Sequence, residues 1–284
     1  MHMKTKFFKL FVTVCSIAAL VLAGTSCSND NEPEVNSRLQ LKLTDAPSFL
    51  YSQVNIDIQG IEVYVGNTIK GNVEVKDGWL KLNLESAGVV NLLDFMNGKY
   101  KLLVDQEIEA CEITKVRFNL GSDCSVKSLL TGNVSELKTR GSFMFDVDWD
   151  IQEGEDYTYI IDIDASQSIK IAFDSTINFE PEPYIRAFVD AFGGNVSGYV
   201  HPATAVKHIE ITNGTKTLYT IAEKLTGALT GTDKGYFAFI CLQPGDWTIK
   251  FVTKSTSGYQ PKEINVKVTT GETYKIPDVV ELSK

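Results

Sequence analysis

Asp146, Asp148 and Asp150 alternate with Phe145, Val147, Trp149 and Ile151, and Asp162 and Asp164 alternate with Ile161 and Ile163. Side chains at every second residue share one face of a strand. If 143–151 and 157–164 pair as a hairpin, strand parity puts all five carboxylates on one side, with Glu153, Glu155 and Asp156 in the connecting loop. Like charges facing each other across strands are destabilising. A neighbouring lysine strand, solvent or Ca²⁺ would relieve them, calcium because it takes several carboxylate and carbonyl oxygens. A solvated acidic face is the plainer reading. Calcium at these five residues is the one metal the sequence points to, and no other cofactor is expected.

Groups suited to catalysis are sparse. Beyond residue 26 the histidines are His201 and His208, on either side of a turn and an early strand. A hydrolytic triad needs a nucleophile and an ordered base beside it. There is no Gly-x-Ser-x-Gly elbow, no phosphate-cradling glycine loop and no His-Glu-x-x-His sequence. The expectation is a protein that is not an enzyme. Aromatic residues are plentiful, with Trp79, Trp149, Trp247 and tyrosines at 51, 64, 157, 159, 184, 199, 236 and 259. Exposed on a sheet they would stack on sugar rings, but most sit where a core or a cross-strand pair would use them.

The elements that carry these residues are strands. Leu39-Gln40-Leu41-Lys42-Leu43, Val54-Asn55-Ile56-Asp57-Ile58, Ile61-Glu62-Val63-Tyr64-Val65 and Leu80-Lys81-Leu82-Asn83-Leu84 alternate apolar with polar. That is the pattern of antiparallel sheets with one wet face. Further strands are predicted at 113–120, 143–151, 157–164 and 184–190, with a short helix or turn at 91–98 ending in Asn97-Gly98. A boundary falls near Phe192-Gly193-Gly194. Beyond it, strands at 206–212, 236–242, 247–253, 264–268 and 273–276 are punctuated by turn signals at the spacing of a small sandwich. The expected fold is all-β, with two antiparallel β-sandwich domains in tandem at 38–192 and 193–284.

The N-terminus reads as an export signal. Lys4, Lys6 and Lys9 precede an apolar run over 11–22, then Ala23-Gly24-Thr25-Ser26 and Cys27. The run is short for a membrane span and fits a cleaved signal over 1–26. A cysteine after small residues marks a lipid-attachment site, so Cys27 is the expected anchor, although Gly24 stands where leucine is usual. Residues 27–37 would be an acidic flexible tether. The expected location is the outer membrane, lipid-anchored and facing outward, with plain secretion as the alternative. Cys111, Cys124 and Cys241 remain; a disulfide between Cys111 and Cys124 and three buried thiols are both open.

The formal net charge is −9, and losing the three signal lysines makes it −12. An acidic chain is a poor partner for nucleic acid or an anionic lipid surface. The membrane contact expected is the lipid anchor; the surface partner would be a protein or a glycan.

Leu43-Thr44-Asp45-Ala46-Pro47, Val54–Ile58 with Ile61-Glu62-Val63, Trp79-Leu80, Val90–Leu93, Lys115–Leu120 and Ile161–Ile169 occur in the order of an uncharacterised lipoprotein family. Over about 38–190 the chain resembles this domain-of-unknown-function 4382 family, departing at Ala110-Cys111-Glu112, where the family usually has a Gly-Tyr turn. Gly194–Val200, Gly235–Phe239 and Leu242–Ile249 resemble the carboxypeptidase-regulatory-like or transthyretin-like sandwich. At fold level both halves are similar to the two-domain plan of fimbrillins. The resemblance implies a non-catalytic surface lipoprotein for binding or adhesion, or an accessory subunit of a fimbria-like assembly. Glycan capture beside a nutrient importer is the alternative. For assembly, Arg38 before the first apolar strand is a site where a trypsin-like cut would free that strand; an ordinary arginine at the tether end is the plainer reading.

Overall fold

The computed structural model describes residues 36–66, 75–180, 182–190, 193–225 and 233–284. The expected signal, the Cys27 anchor and nearly all of the tether lie outside these residues. Strand is the dominant element of the described chain, as the alternation predicts, and the helices are single turns. It belongs to one compact unit, Val35–Lys284, that contains two hydrophobic cores.

The first core lies between a four-stranded and an eight-stranded sheet. In the smaller sheet the order is Ile185–Val189, Asp156–Ile163, Ser37–Asp45 and Lys101–Ile108. Leu39, Leu41 and Leu43 are fully buried, while Arg38, Gln40 and Lys42, which alternate with them, are not. The larger sheet is built on Tyr51–Tyr64, which pairs with Trp79–Leu82, Gly88–Asn91, Ser125–Ser128 and Cys111–Leu120. Ser142–Ile151 pairs with Cys111–Leu120 and ends the sheet's main path. Trp149 from the larger sheet stacks on Tyr159 from the smaller at 3.9 Å between ring centroids. Each fully buried large apolar side chain contributes about 1.5–3 kcal/mol, so these inward faces dominate the lobe's stability.

The second core is smaller. Gly235–Leu242 and Gly194–His201 form one of its sheets with Glu223–Lys224, Thr273–Lys275 and Val280–Glu281. Thr217–Thr220, Val206–Thr212, Gly245–Thr253 and Lys262–Val268 form the other. Phe237 meets Phe251 edge-on across the gap at 5.2 Å, and Trp247 is buried beneath.

Neither lobe is purely antiparallel. Ser37–Asp45 runs parallel to Asp156–Ile163, and Gly194–His201 runs parallel to Thr273–Lys275 and Val280–Glu281. In each lobe the opening strand is flanked by parallel pairing on one edge and antiparallel pairing on the other, the parallel edge of Gly194–His201 being shared by two short strands. No helix among the described residues is long and apolar enough to cross a membrane.

Candidate functional site

The five aspartates do not meet. Ser142–Ile151 and Asp156–Ile163 follow one another in sequence but lie in different sheets, so the expected hairpin does not form. The loop between them carries the chain from one layer of the sandwich to the other. Asp146 is exposed and ion-paired with Lys115 at 2.7 Å, and Asp148 and Asp150 are exposed. Asp162 is only 3% exposed and bonded to the Arg186 guanidinium. Asp164 caps the helical turn Ala165–Ser168, accepting from the Gln167 N–H at 3.0 Å and the Ser166 hydroxyl at 2.7 Å. Among the described residues, no three His, Cys, Asp or Glu side chains come together to hold a metal.

The other candidates disperse as well. His201 meets Glu281 at 2.7 Å and His208 meets Glu210 at 2.8 Å, so each imidazole faces a carboxylate rather than a nucleophile. Cys111, Cys124 and Cys241 are free thiols, the first two buried. Trp149 and Trp247 are core residues. Arg38 lies within an interior strand, its guanidinium held by both Asp105 oxygens at 2.7 Å.

What the fold does assemble is a small cavity where the lobes meet. The Thr44–Pro47 turn lines it together with Asp162, Asp164, Tyr184 and Arg186. The second lobe contributes Thr217–Thr220 and Ala238–Ile240. Its volume is about 60 Å³, room for roughly four waters. Asp45 ends the first strand there. Its Oδ1 accepts from the Ala165 N–H at 3.1 Å, while its Oδ2 has no protein partner. Burial pushes this carboxyl well above the ordinary range; the Ala165 N–H opposes the rise, and Asp162 and Asp164 add to it. Asp162 is also raised by burial, with Arg186 working against the shift, and its Oδ1 likewise lacks a partner.

Asn97 joins the lobes beside this cavity. It adopts a left-handed backbone (φ 57°) in the turn after the short 3-10 helix Leu92–Phe95. The turn inserts its side chain into the second lobe. Lys99 then meets Glu223 at 2.6 Å. The sequence marks Asn97-Gly98 as a turn and Thr44-Asp45-Ala46-Pro47 as a motif, but its local pattern assigns no role to Asp45, Arg186 or Asn97. The one available signal is that Asp45 takes the next position on the inward parity of Leu39, Leu41 and Leu43.

A second polar arrangement lies on the outer face of the larger sheet. The Arg117 guanidinium sits 4.0 Å from the centre of the Trp79 ring, and Tyr64 meets that ring edge-on. Glu62 accepts from Arg117 and Asn119, both at 2.8 Å. Burial pushes the Glu62 carboxyl up, but the Asn119 amide and Arg117 together more than offset this and hold it below its usual value.

A family model described as a domain of unknown function, DUF4382, matches residues 36–181. Comparison with curated proteins gives no match. Among solved structures, a Bacteroides fragilis protein proposed to act in cell adhesion is 14% identical with a TM-score of 0.26, and the similarity covers 55% of this chain and 45% of that one. The minor pilin GBS52 of Streptococcus agalactiae is 12% identical, TM-score 0.21, over 86% of this chain and 95% of that one. The major pilin BcpA of Bacillus cereus is 12% identical, TM-score 0.23, over 88% of this chain and 70% of that one.

Proposed function

Because the chain belongs to the DUF4382 family, whose description carries no activity, we propose its role from its own surfaces: a non-catalytic binding or adhesion protein of the cell exterior, held by lipid on Cys27. One observation carries this reading. Leu50, Leu129 and Leu130 are 63%, 59% and 94% exposed, and the Leu129 N–H donates to the Leu50 carbonyl at 2.9 Å, which holds the two segments together. The turn bearing Leu129 and Leu130 is braced by Gly132 N–H to Ser128 carbonyl (3.0 Å) and Ser128 N–H to Asn133 carbonyl (2.9 Å). A braced turn that presents leucines to water is a feature of interaction surfaces.

The test is adherence of cells expressing the full-length protein, scored on epithelial monolayers and by self-aggregation. Leu129→Asp with Leu130→Asp should remove most attachment without lowering the melting temperature, since both side chains are exposed. Unchanged attachment would discard the surface. The anchor is tested separately by metabolic labelling with an alkyne fatty acid, which Cys27→Ala should abolish.

Glycan binding is the second reading, favoured by the Trp79–Arg117–Glu62 arrangement. Arg117–Glu62 and Lys115–Asp146 are ion pairs on one sheet face, so this face offers fixed donors and acceptors beside aromatic rings. A glycan array probed with wild type and Trp79→Ala distinguishes the two readings.

A further inference from the structure

The strand Ser142–Ile151 has an open edge. Its one strand neighbour among the described residues is Cys111–Leu120, and it ends the sheet's main path. The Gly141 carbonyl accepts from the Leu120 N–H at 2.7 Å. The other end of that peptide, the Ser142 N–H, therefore points away from the neighbour. Main-chain groups alternate sides along a strand, so Ser142, Met144 and Asp146 all aim theirs at the edge. No main-chain partner among the described residues meets them. Beside them lies an open groove of about 640 Å³, lined by Ser142–Asp146 and by Glu182 and Pro183. Phe143 and Phe145 form part of its wall. An open edge is a template for another strand. A register shift after Asp146 interrupts the ladder, so the regular edge is short.

The residues around this edge select the strand that fits it. Met144 is the centre of a charge palindrome: Lys138 and Arg140 precede it, Asp148 and Asp150 follow at the same spacings, and Ser142 balances Asp146. A parallel copy would set like charge against like, which is destabilising. An antiparallel copy centred on Met144 sets Lys138 near Asp150, Arg140 near Asp148 and Ser142 opposite Asp146, with Met144 opposite its own equivalent. That register also brings the edge-directed main-chain groups of the two copies face to face, and lays Phe145 of one against Phe143 of the other. Met144 is 46% exposed, and Lys138, Arg140, Asp148 and Asp150 are exposed. Gly141 (φ 80°) turns the chain between Arg140 and Ser142, so the basic side chains reach across from outside the ladder.

We propose that this edge binds a second copy of the chain, antiparallel and two-fold symmetric about Met144. Both copies use the same patch, so the contact closes on itself as a dimer. A ladder this short makes a small, transient interface, and its exposed ion pairs weaken with salt. The inference goes beyond the binding role proposed above: the partner is the protein itself and the leucine turn takes no part, so either can fail alone.

The experiment is disulfide trapping of the full-length protein under mild oxidation. Across the two-fold axis the Cα atoms of residue 144 would lie about 5.5 Å apart, within the span of a disulfide. Met144→Cys should therefore link into dimers. Ser142→Cys alone and Asp146→Cys alone should not, because each residue and its own equivalent are offset by about 13 Å along the strands. A mixture of those two variants should link one to the other. Wild type, with Cys111 and Cys124 buried, sets the background. Charge supplies a second arm. In the Met144→Cys protein, Arg140→Glu or Asp148→Lys should each lower trapping several-fold, and the two together should restore it, since opposite charges face each other again. Restoration separates a lost contact from a misfolded variant. Met144→Cys that stays monomeric, Ser142→Cys that links to itself as readily as to Asp146→Cys, or a double reversal that stays impaired would each overturn the two-fold pairing.

Discussion

The Thr220 hydroxyl donates to Asn97 Oδ1 at 2.6 Å, across the boundary between two hydrophobic cores. The same oxygen accepts from the Ala238 N–H at 3.1 Å, and the Asn97 amide donates to the Ile221 carbonyl at 3.3 Å. One side chain thus serves two strands of the second lobe. Asn97 is one of the few residue types that tolerate its left-handed backbone.

Asn97→Ala should therefore cost about 2–4 kcal/mol, from buried partners left unpaired and a strained backbone. Asn97→Gly keeps the backbone freedom and loses only the hydrogen bonds, so it should be the milder change. Urea denaturation of both variants checks this; equal stabilities would mean that backbone strain contributes nothing.

Trp149→Ala should destabilise by about 3–5 kcal/mol, the range for deleting a buried aromatic. The indole bridges two sheets through Tyr159. Tyr219→Ala, at a residue 43% exposed, should cost far less. A comparable loss for the two would contradict the assignment of Trp149 to the core.

Arg38 and Asp105 give a pH signature. The Arg38 hydrogen bond, with Gln40 assisting, holds the Asp105 carboxyl below its ordinary value. A depressed folded-state pKa adds stability above the unfolded value, near 3.9, and loses it as pH falls through the folded value. Asp105→Asn should thus be less stable than wild type at neutral pH, the gap closing below about pH 4. Denaturation midpoints across pH 3–7 measure it; a constant gap would rule out the ion pair as its source.

The thiols should resist alkylation. Burial pushes Cys111 up to about 11 and Cys241 up to about 12, with nearby acids adding to both shifts. The thiolate is the reactive form, so iodoacetamide at pH 8 should label the folded protein slowly and the urea-unfolded protein fast. Rapid labelling of Cys111 in the folded state would show that its strand opens.

The strands are legible because alternation is a local signal: it places 206–212 to the residue, and 143–151 and 157–164 to within one. Their pairing was not legible. Adjacency in sequence predicts a hairpin, yet Asp156–Ile163 finds its neighbour in Ser37–Asp45, at the far end of the lobe's sequence. Asp162 shows the same limit. Its alternation reads as an outward, wet position, but Arg186 and the second lobe cover it. The candidate site was unreadable for that reason, since Asp45, Arg186 and Thr220 are joined only by tertiary packing.

The interior position of Ser37–Asp45 also sets an order of events. This strand is the first of the lobe to be made, and it must wait for Lys101–Ile108 and then for Asp156–Ile163 before either edge is paired. Contacts so distant in sequence close slowly and leave apolar strands open in the interval. Until the last partner arrives, Leu39, Leu41 and Leu43 have no completed sheet to enter, so the nascent chain is most vulnerable to aggregation at the end that leads it.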